Sequence, residues 1–179
     1  MRRVGCLFAG QGAQYVGMGR DLAERFAVAR RLFQQADDIL GYPLSRLCFA
    51  GPTDQLTSTE HSQPAILTTS LAAAWSAWPE GRPPEEEVVG VAGLSLGEYS
   101  ALVFAGALSF EDGLQLVARR GELMAEAGRE RPGTMASILG LEDELVEEPG
   151  YSIINGETEA LLDELPEIDD AADDVEQGV

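Results

Sequence analysis

The residue with the clearest potential for chemistry is Ser95, at the centre of Gly93-Leu94-Ser95-Leu96-Gly97. The preceding run Val88–Ala92 is small and β-branched, which predicts a buried strand, and a helical pattern follows the serine. This is the G-x-S-x-G pattern in the strand, turn and helix context of a nucleophile elbow, where the serine hydroxyl stands clear of the sheet. The alternative is a chance Gly/Ser turn at the end of a strand, with no chemistry attached.

Two backbone N–H groups are candidates for stabilising a negative charge beside this serine. The predicted helix after Ser95 points its free N–H groups back at the turn, so the N–H of Leu96 would lie where an oxyanion forms. The second candidate is the small-residue loop Ala9–Gln14, which follows a predicted first strand, Val4–Phe8. The loop lacks the third glycine of a dinucleotide fingerprint, but it fits the donation of one backbone N–H to an active site.

A serine nucleophile needs a base to remove its proton, and the sequence offers little choice of base. His61 is the one histidine in the chain. It lies just ahead of a predicted helix start at Gln63-Pro64, and no sequence argument places it beside Ser95. We therefore predict that His61 is a solvated loop residue, which leaves the elbow without an identified base.

Alternating short apolar runs and helical patterns around the elbow predict an α/β fold. In the helix beginning near Ser62, Pro64 is expected in the first turn, and one face is expected to pack against the core. Ser109 to Asp112 resembles a capping box, with the acid reaching back to a free N–H. The predicted helices are Met18–Leu40, Leu44–Phe49, Ser62–Trp78, Glu98–Ala105 and a segment from Ser109 to about Ala127.

Further elements are predicted towards the C-terminus. These are a loop over Arg129–Pro132, a strand over Thr134–Leu139, a short helix over Glu142–Glu148 and a strand over Tyr151–Ile154.

The formal charge of −19 is unevenly distributed along the sequence. All 12 basic residues are arginines at or before Arg131, while 15 acidic residues and no base follow it. The first 131 residues carry 16 acids against those 12 arginines, a net charge of −4. Nothing here offers a basic stripe for nucleic acid, and the acidic segment beyond Gly156 is too charged to predict an ordered fold.

The two cysteines, Cys6 and Cys48, are far apart and lack the spacing of a metal site. This favours reduced thiols in a cytoplasmic protein. The apolar run Val4–Ala9 is too short for a signal peptide, and no stretch is long enough to span a membrane. We expect no membrane association and no bound metal.

Four motifs occur in an order and at a spacing that resemble one enzyme family. The chain is similar to malonyl-CoA:acyl-carrier-protein transacylases and to the acyltransferase domains of polyketide synthases over about residues 4–145. The motifs that carry the resemblance are Phe8-Ala9-Gly10-Gln11-Gly12-Ala13-Gln14, Ser62-Gln63-Pro64-Ala65, Gly93-Leu94-Ser95-Leu96-Gly97-Glu98-Tyr99-Ser100-Ala101-Leu102 and Arg120-Gly121-Glu122-Leu123-Met124.

The resemblance implies an α/β-hydrolase-like core, a parallel sheet with a nucleophile elbow. The core is expected to be incomplete and to be followed by the start of a ferredoxin-like small subdomain. We expect the N-terminal part of the large subdomain at residues 1–128. The small subdomain is expected to begin at residues 129–155, and residues 156–179 form an acidic tail.

The resemblance also implies roles for five residues. Ser95 matches the nucleophile that takes a malonyl group from coenzyme A as an ester and passes it to the phosphopantetheine thiol of acyl carrier protein. Gln11 and Leu96 match the backbone N–H donors of the oxyanion hole. Arg120 matches the arginine that grips the free carboxylate of malonate, with bidentate geometry that lysine would not reproduce. Gln63 matches a glutamine near the same pocket; it is otherwise an ordinary residue at a helix start.

Helix geometry separates Arg120 from its neighbour, since successive residues lie about 100° apart around a helix. Arg119 is therefore predicted to lie on the surface. The family pattern has histidine directly before the serine, where this chain has Leu94.

The catalytic histidine of the family lies beyond the last residue of this sequence. We therefore expect about half of a family member, a truncated or remnant transacylase of doubtful activity, with apolar surface left uncovered beside strands Val4–Phe8 and Val88–Ala92. A companion chain that supplies the other half is one way to complete the site.

Three functions follow from these observations. The first is malonyl transfer from malonyl-CoA to acyl carrier protein, with the coenzyme A thioester as substrate and no further cofactor. The second is a non-catalytic module that binds acyl-CoA or carrier protein. The third is a generic serine esterase, which is disfavoured by Arg120, since an arginine there favours a dicarboxylic substrate, and by the Gln11 loop.

Overall fold

The computed structural model describes residues 3–78 and 88–130, which contain two strands and seven helices. In chain order these are β1 (Val4–Phe8), α1 (Arg20–Arg25), α2 (Ala27–Leu40), α3 (Leu44–Ala50), α4 (Thr53–Thr57), α5 (Thr59–Ser76), β2 (Val88–Gly93), α6 (Gly97–Phe104) and α7 (Phe110–Glu130).

The two strands pair in parallel, and Phe8 lies opposite Gly93 at their carboxyl ends. Helix α6 follows β2 directly and packs against both strands. This confirms the predicted α/β class with a parallel sheet. The strands were expected to be buried, but Leu7 is 86% exposed and Val89 is 53% exposed. In the described part of the chain only one sheet face is covered, so alternate residues of each strand remain at the surface.

Helix α5 lies at the centre of the described residues and contacts six of the other elements, including α2 and α7. Residues 62–68 are all buried, so the expectation of one buried face is wrong for the first half of this helix. The predicted start is also wrong, because α5 begins at Thr59 and Pro64 is its sixth residue. Proline there cannot donate a hydrogen bond to the Glu60 carbonyl, and its ring crowds that carbonyl.

The segment predicted as one helix from Met18 to Leu40 is two helices, divided at Phe26. Phe26 has an extended backbone, with φ −118° and ψ 125°. The side chain of Arg30 donates to the carbonyls of Ala23 and Glu24, at 3.1 and 3.0 Å. These bonds satisfy carbonyls near the end of α1, which a helix end otherwise leaves without partners.

Helix α7 begins with the predicted cap at Ser109, but the acid plays a different part. The Ser109 hydroxyl accepts from the Asp112 N–H at 3.0 Å and donates to the Asp112 carboxylate at 2.6 Å. The Asp112 carboxylate therefore bonds the Ser109 hydroxyl and does not reach back to a free backbone N–H, because the aspartate side chain is too short to reach both. The predicted loop at Arg129–Pro132 is wrong at its start, since α7 continues to Glu130, and α4 was not predicted.

Several predictions lie outside the described residues or are not tested. The two strands and the short helix predicted within 134–154, the ferredoxin-like subdomain and the acidic tail fall outside the described ranges. The domain boundaries stay predictions. Within residues 3–78 and 88–130, no helix is both long enough and apolar enough to cross a lipid bilayer.

Helices α5 and α7 approach each other closely at Gly121. A Cβ atom added to Gly121 would lie 2.8 Å from the Thr59 carbonyl oxygen and 3.1 Å from the Glu60 Cα. Both neighbours are backbone atoms, which cannot rotate out of the way. Gly121 therefore sets the distance between the two helices, and Arg120 precedes it on α7.

We predict opposite effects for two glycine substitutions in α7. Gly121→Ala should lower the free energy of unfolding by about 1–2 kcal/mol, because the clash with α5 outweighs the gain in helix propensity. Gly128→Ala is the matched control, since nothing lies within 4 Å of its added Cβ, and it should be neutral or stabilising by up to about 1 kcal/mol. Urea denaturation measures both; equal effects would contradict the close contact.

Candidate active site

Ser95 occupies the sharp turn between β2 and α6. Its φ of 52° makes it the one non-glycine residue with positive φ among the described residues. This left-handed conformation is strained for a residue with a side chain. Added Cβ atoms would collide with Gly97 at position 93 and with the Phe8 carbonyl at position 97. The two flanking glycines are therefore required by close backbone packing.

The Gln11 loop lies against the same turn. A Cβ added to Gly10 would lie 2.8 Å from the Leu94 carbonyl oxygen, so these two backbone segments touch. The Gln11 side chain contacts Thr59 at the start of α5, with Nε2 and Oγ1 3.4 Å apart. Within the described ranges, the backbone N–H groups of Gln11 and Leu96 donate no hydrogen bond to protein atoms. Gln11 is exposed at the surface, whereas Leu96 is fully buried beneath the turn.

Arg120 connects the serine to helix α5. Its Nη2 donates to the Ser95 hydroxyl oxygen at 2.9 Å, and its Nη1 donates to the Gln63 Oε1 at 2.6 Å. Gln63 is fully buried, and its Nε2 donates to the Met124 sulfur at 3.3 Å. Because arginine only donates, the amide oxygen of Gln63 must face Arg120 and the amide nitrogen must face Met124.

The side chains that bond or stack against Arg120 in the described part of the chain are uncharged. No carboxylate there forms an ion pair with it. The aromatic ring of Tyr99 lies against it, with the guanidinium carbon 6.0 Å from the ring centroid. Arg119 is exposed and pairs with Glu122 at 2.9 Å, as its predicted surface position requires. Arg120 therefore carries a charge that a bound anion could compensate.

His61 is not where the sequence suggested. It lies inside α5, not in a loop, and its side chain is 19% exposed. Its Nδ1 is 2.8 Å from the Ser58 hydroxyl, and its ring packs edge-on against Tyr42. Burial, reinforced by nearby acidic groups, raises the pKa of Tyr42 far above its usual range, so the Tyr42 hydroxyl stays neutral.

No basic side chain among the described residues accepts a hydrogen bond from the Ser95 hydroxyl. Among the described residues, Arg120 is the one side chain that bonds its hydroxyl. Because Arg120 donates to the oxygen, the proton of the hydroxyl is left free to leave in another direction.

The structure brings Ser95, Arg120 and Gln63 into one hydrogen-bonded chain, with the Gln11 loop and Leu96 at its serine end. Sequence reasoning missed two neighbours, Tyr99 and Met124. Each lies four residues after a site residue, Tyr99 after Ser95 and Met124 after Arg120. On a helix that spacing brings side chains to the same face, so it could have indicated Met124, which shares α7 with Arg120. It could not have indicated Tyr99, because Ser95 lies in the left-handed turn before α6.

Leu94, directly before the serine, is 71% exposed. No cluster of three or more metal-binding side chains occurs within residues 3–78 and 88–130.

Comparison with known proteins identifies the family. The family model described as "Acyl transferase domain" matches residues 6–153. This chain belongs to the acyl transferase domain family. The malonyl CoA-acyl carrier protein transacylase of Bacillus subtilis is 47% identical over 148 residues, which cover 83% of this chain and 45% of that protein. The chain therefore spans about half the length of the curated relatives it matches.

Solved structures agree with this family assignment. The transacylase of the same name from Clostridium perfringens is 45% identical and has a TM-score of 0.62, covering 70% of this chain and 38% of that one. A malonyl-transacylase solved in complex with a type II polyketide synthase acyl-carrier protein is 44% identical, with a TM-score of 0.64 over 70% of this chain and 40% of that one.

We predict that the strain at Ser95 can be measured by comparing two substitutions. Ser95→Ala and Ser95→Gly both remove the hydroxyl bonded by Arg120, but only glycine adopts a φ of 52° without strain. The glycine variant should therefore be more stable than the alanine variant by about 1 kcal/mol in chemical denaturation. An alanine variant that is equally or more stable would show that the turn is relaxed.

Proposed function

We propose that this chain carries the nucleophile, the oxyanion donors and the carboxylate clamp of a malonyl transferase. The malonyl group passes from malonyl-CoA to acyl carrier protein through an ester on Ser95. The observation that carries the proposal is the 2.9 Å contact between Arg120 and the hydroxyl of a serine with positive φ. The turn acts as a nucleophile elbow, and the names of the relatives supply the substrates.

In the loading step, the Ser95 oxygen attacks the thioester carbonyl of malonyl-CoA. The bond from oxygen to carbon forms, the bond from carbon to sulfur breaks, and the hydroxyl proton leaves with coenzyme A as its thiol. The carbonyl oxygen becomes negative on the way, and the unpaired N–H groups of Gln11 and Leu96 stabilise it. A thiol on the carrier protein then attacks the ester and restores the serine.

Arg120 selects the acyl group. The malonyl carboxylate is separated from the reacting carbonyl by one methylene, so a cation beside the serine hydroxyl is within its reach. Gln63 occupies one edge of the guanidinium, which leaves other N–H groups to bind carboxylate oxygens. With no carboxylate paired to it in the described residues, Arg120 gives up no ion pair when malonate binds.

The base is the part of this mechanism that the described residues do not supply. His61 is the one histidine of the sequence, and its contacts are with Ser58, Glu60 and Tyr42. We therefore expect the chain alone to load Ser95 slowly, from the oxyanion donors and binding alone. A companion chain that supplies a base would complete the reaction.

The setting of this activity is also a proposal. We place it in the cytoplasm, where free thiols persist, because both Cys6 and Cys48 are unpaired. No cofactor besides the coenzyme A thioester is required by the steps above. A non-catalytic module that binds malonyl-CoA through Arg120 is the competing function, favoured because no base is bonded to Ser95 among the described residues.

We predict that incubation with malonyl-CoA adds one malonyl group to the chain, detected by intact mass, and that Ser95→Ala abolishes the addition. Arg120→Ala should slow the addition by about 30-fold or more, because it removes hydrogen bonds from a charged donor to the carboxylate. Arg119→Ala is the matched control and should load normally, since its partner is Glu122.

The outcomes separate the three functions. Binding of malonyl-CoA with no adduct over a long incubation supports the non-catalytic module. Turnover of a neutral ester at a rate that Arg120→Ala leaves unchanged supports a serine esterase.

We predict that added imidazole accelerates loading by roughly tenfold, because a free base in solution can take the proton that no described side chain accepts. The acceleration of loading by imidazole should be absent in Ser95→Ala and should increase with pH as imidazole loses its proton. 1,3-Dimethylimidazolium, an analogue of imidazole in which neither ring nitrogen can accept a proton, serves as the control. A loading rate indifferent to imidazole would mean that a base is already in place.

A further inference from the structure

Tyr99 is the neighbour of Arg120 that the proposed mechanism leaves without a role. Its ring lies 6.0 Å from the guanidinium carbon, within the range of a cation–π interaction. We propose that Tyr99 is a positioning residue, which keeps the Arg120 guanidinium beside Ser95 while the serine carries an acyl group. This inference rests on the proposed function for its consequences, but the contact itself can be tested without catalysis.

The need for a ring arises from how Arg120 is held. Before loading, its two hydrogen bonds within the described part of the chain are one to Gln63 and one to the Ser95 hydroxyl oxygen. Acylation turns that oxygen into an ester oxygen, which is a much weaker acceptor. A guanidinium held by Gln63 alone would be free to swing about a single bond, whereas the Tyr99 ring restrains its plane from a second side.

The position of Tyr99 ties this restraint to the nucleophile. Tyr99 belongs to the first turn of α6, and its N–H donates to the Leu96 carbonyl at 3.1 Å. The ring is partly buried, so its rotamers are limited by its neighbours. The same short segment of chain therefore carries the serine, one oxyanion donor and the aromatic ring that contacts Arg120.

The consequence is a preference for acyl groups that end in a carboxylate. A restrained cation binds a carboxylate with little further loss of side-chain entropy, which is the advantage of preorganisation. A neutral acyl group gains nothing from it. Loss of the ring should therefore weaken malonyl loading more than acetyl loading.

The first test is the nuclear magnetic resonance signal of the Arg120 Nε–H group, assigned by its loss in Arg120→Lys. The Tyr99 ring current shifts this signal, so Tyr99→Leu should move it and Tyr99→Phe should not. A signal that is the same in wild type, Tyr99→Phe and Tyr99→Leu overturns the inference. Tyr99→Met, closer in size to tyrosine, provides the ring-free variant if the leucine variant does not fold.

The second test is selectivity, measured as the ratio of malonyl to acetyl loading from the two coenzyme A thioesters. The ratio should fall about fivefold in Tyr99→Leu and stay within twofold of wild type in Tyr99→Phe. An unchanged ratio in Tyr99→Leu, or an equal fall in Tyr99→Phe, overturns the inference.

The two proposals fail in different ways. If the wild-type chain takes up neither acyl group, malonyl transfer fails, and the titration of free malonate followed at the Arg120 signal decides the role of Tyr99. Tyr99→Leu should then bind malonate about fivefold more weakly than Tyr99→Phe, and equal affinities overturn the inference.

Discussion

Backbone packed directly on backbone is the constraint on which this site depends. The first turn of α6 lies against the Phe8 carbonyl at the end of β1, and Gly97 leaves no room for a side chain between them. Gly10 allows a similar approach to Leu94. Because no flexible side chain intervenes, the positions of Ser95 and the loop N–H groups follow from the chain path itself. Groups fixed in this way need little rearrangement as charge develops, which is the basis of electrostatic preorganisation.

The second organising feature is a cation surrounded by neutral groups. Gln63, Ser95 and Tyr99 all face the Arg120 guanidinium, and none of them carries a negative charge. A carboxylate in the same place would hold the arginine more firmly but would compete with any acidic ligand. Neutral acceptors orient the guanidinium and leave its electrostatic attraction for what binds next.

The sequence predicted the elements near Ser95 well, because local rules govern them. Strand β1 has the predicted bounds, β2 ends one residue later than predicted, and α6 begins and ends one residue earlier, since two glycines and a short apolar run determine this turn. The division at Phe26 was not predictable in the same way. It accompanies bonds from Arg30 to carbonyls six and seven residues earlier, which no helical periodicity encodes. The contact between Arg120 and Ser95 was anticipated from the family resemblance, not from spacing along the chain.

The burial of helix α5 limits which amino-acid substitutions this protein can accept. Over residues 62–68 it has no solvent-facing side, and the buried amide of Gln63 is bonded to Arg120. A substitution that alters packing around this helix would rotate it and turn the amide away from the guanidinium. The orientation of the Arg120 guanidinium and the packing of the core therefore depend on the same residues, so neither can be altered here without disturbing the other.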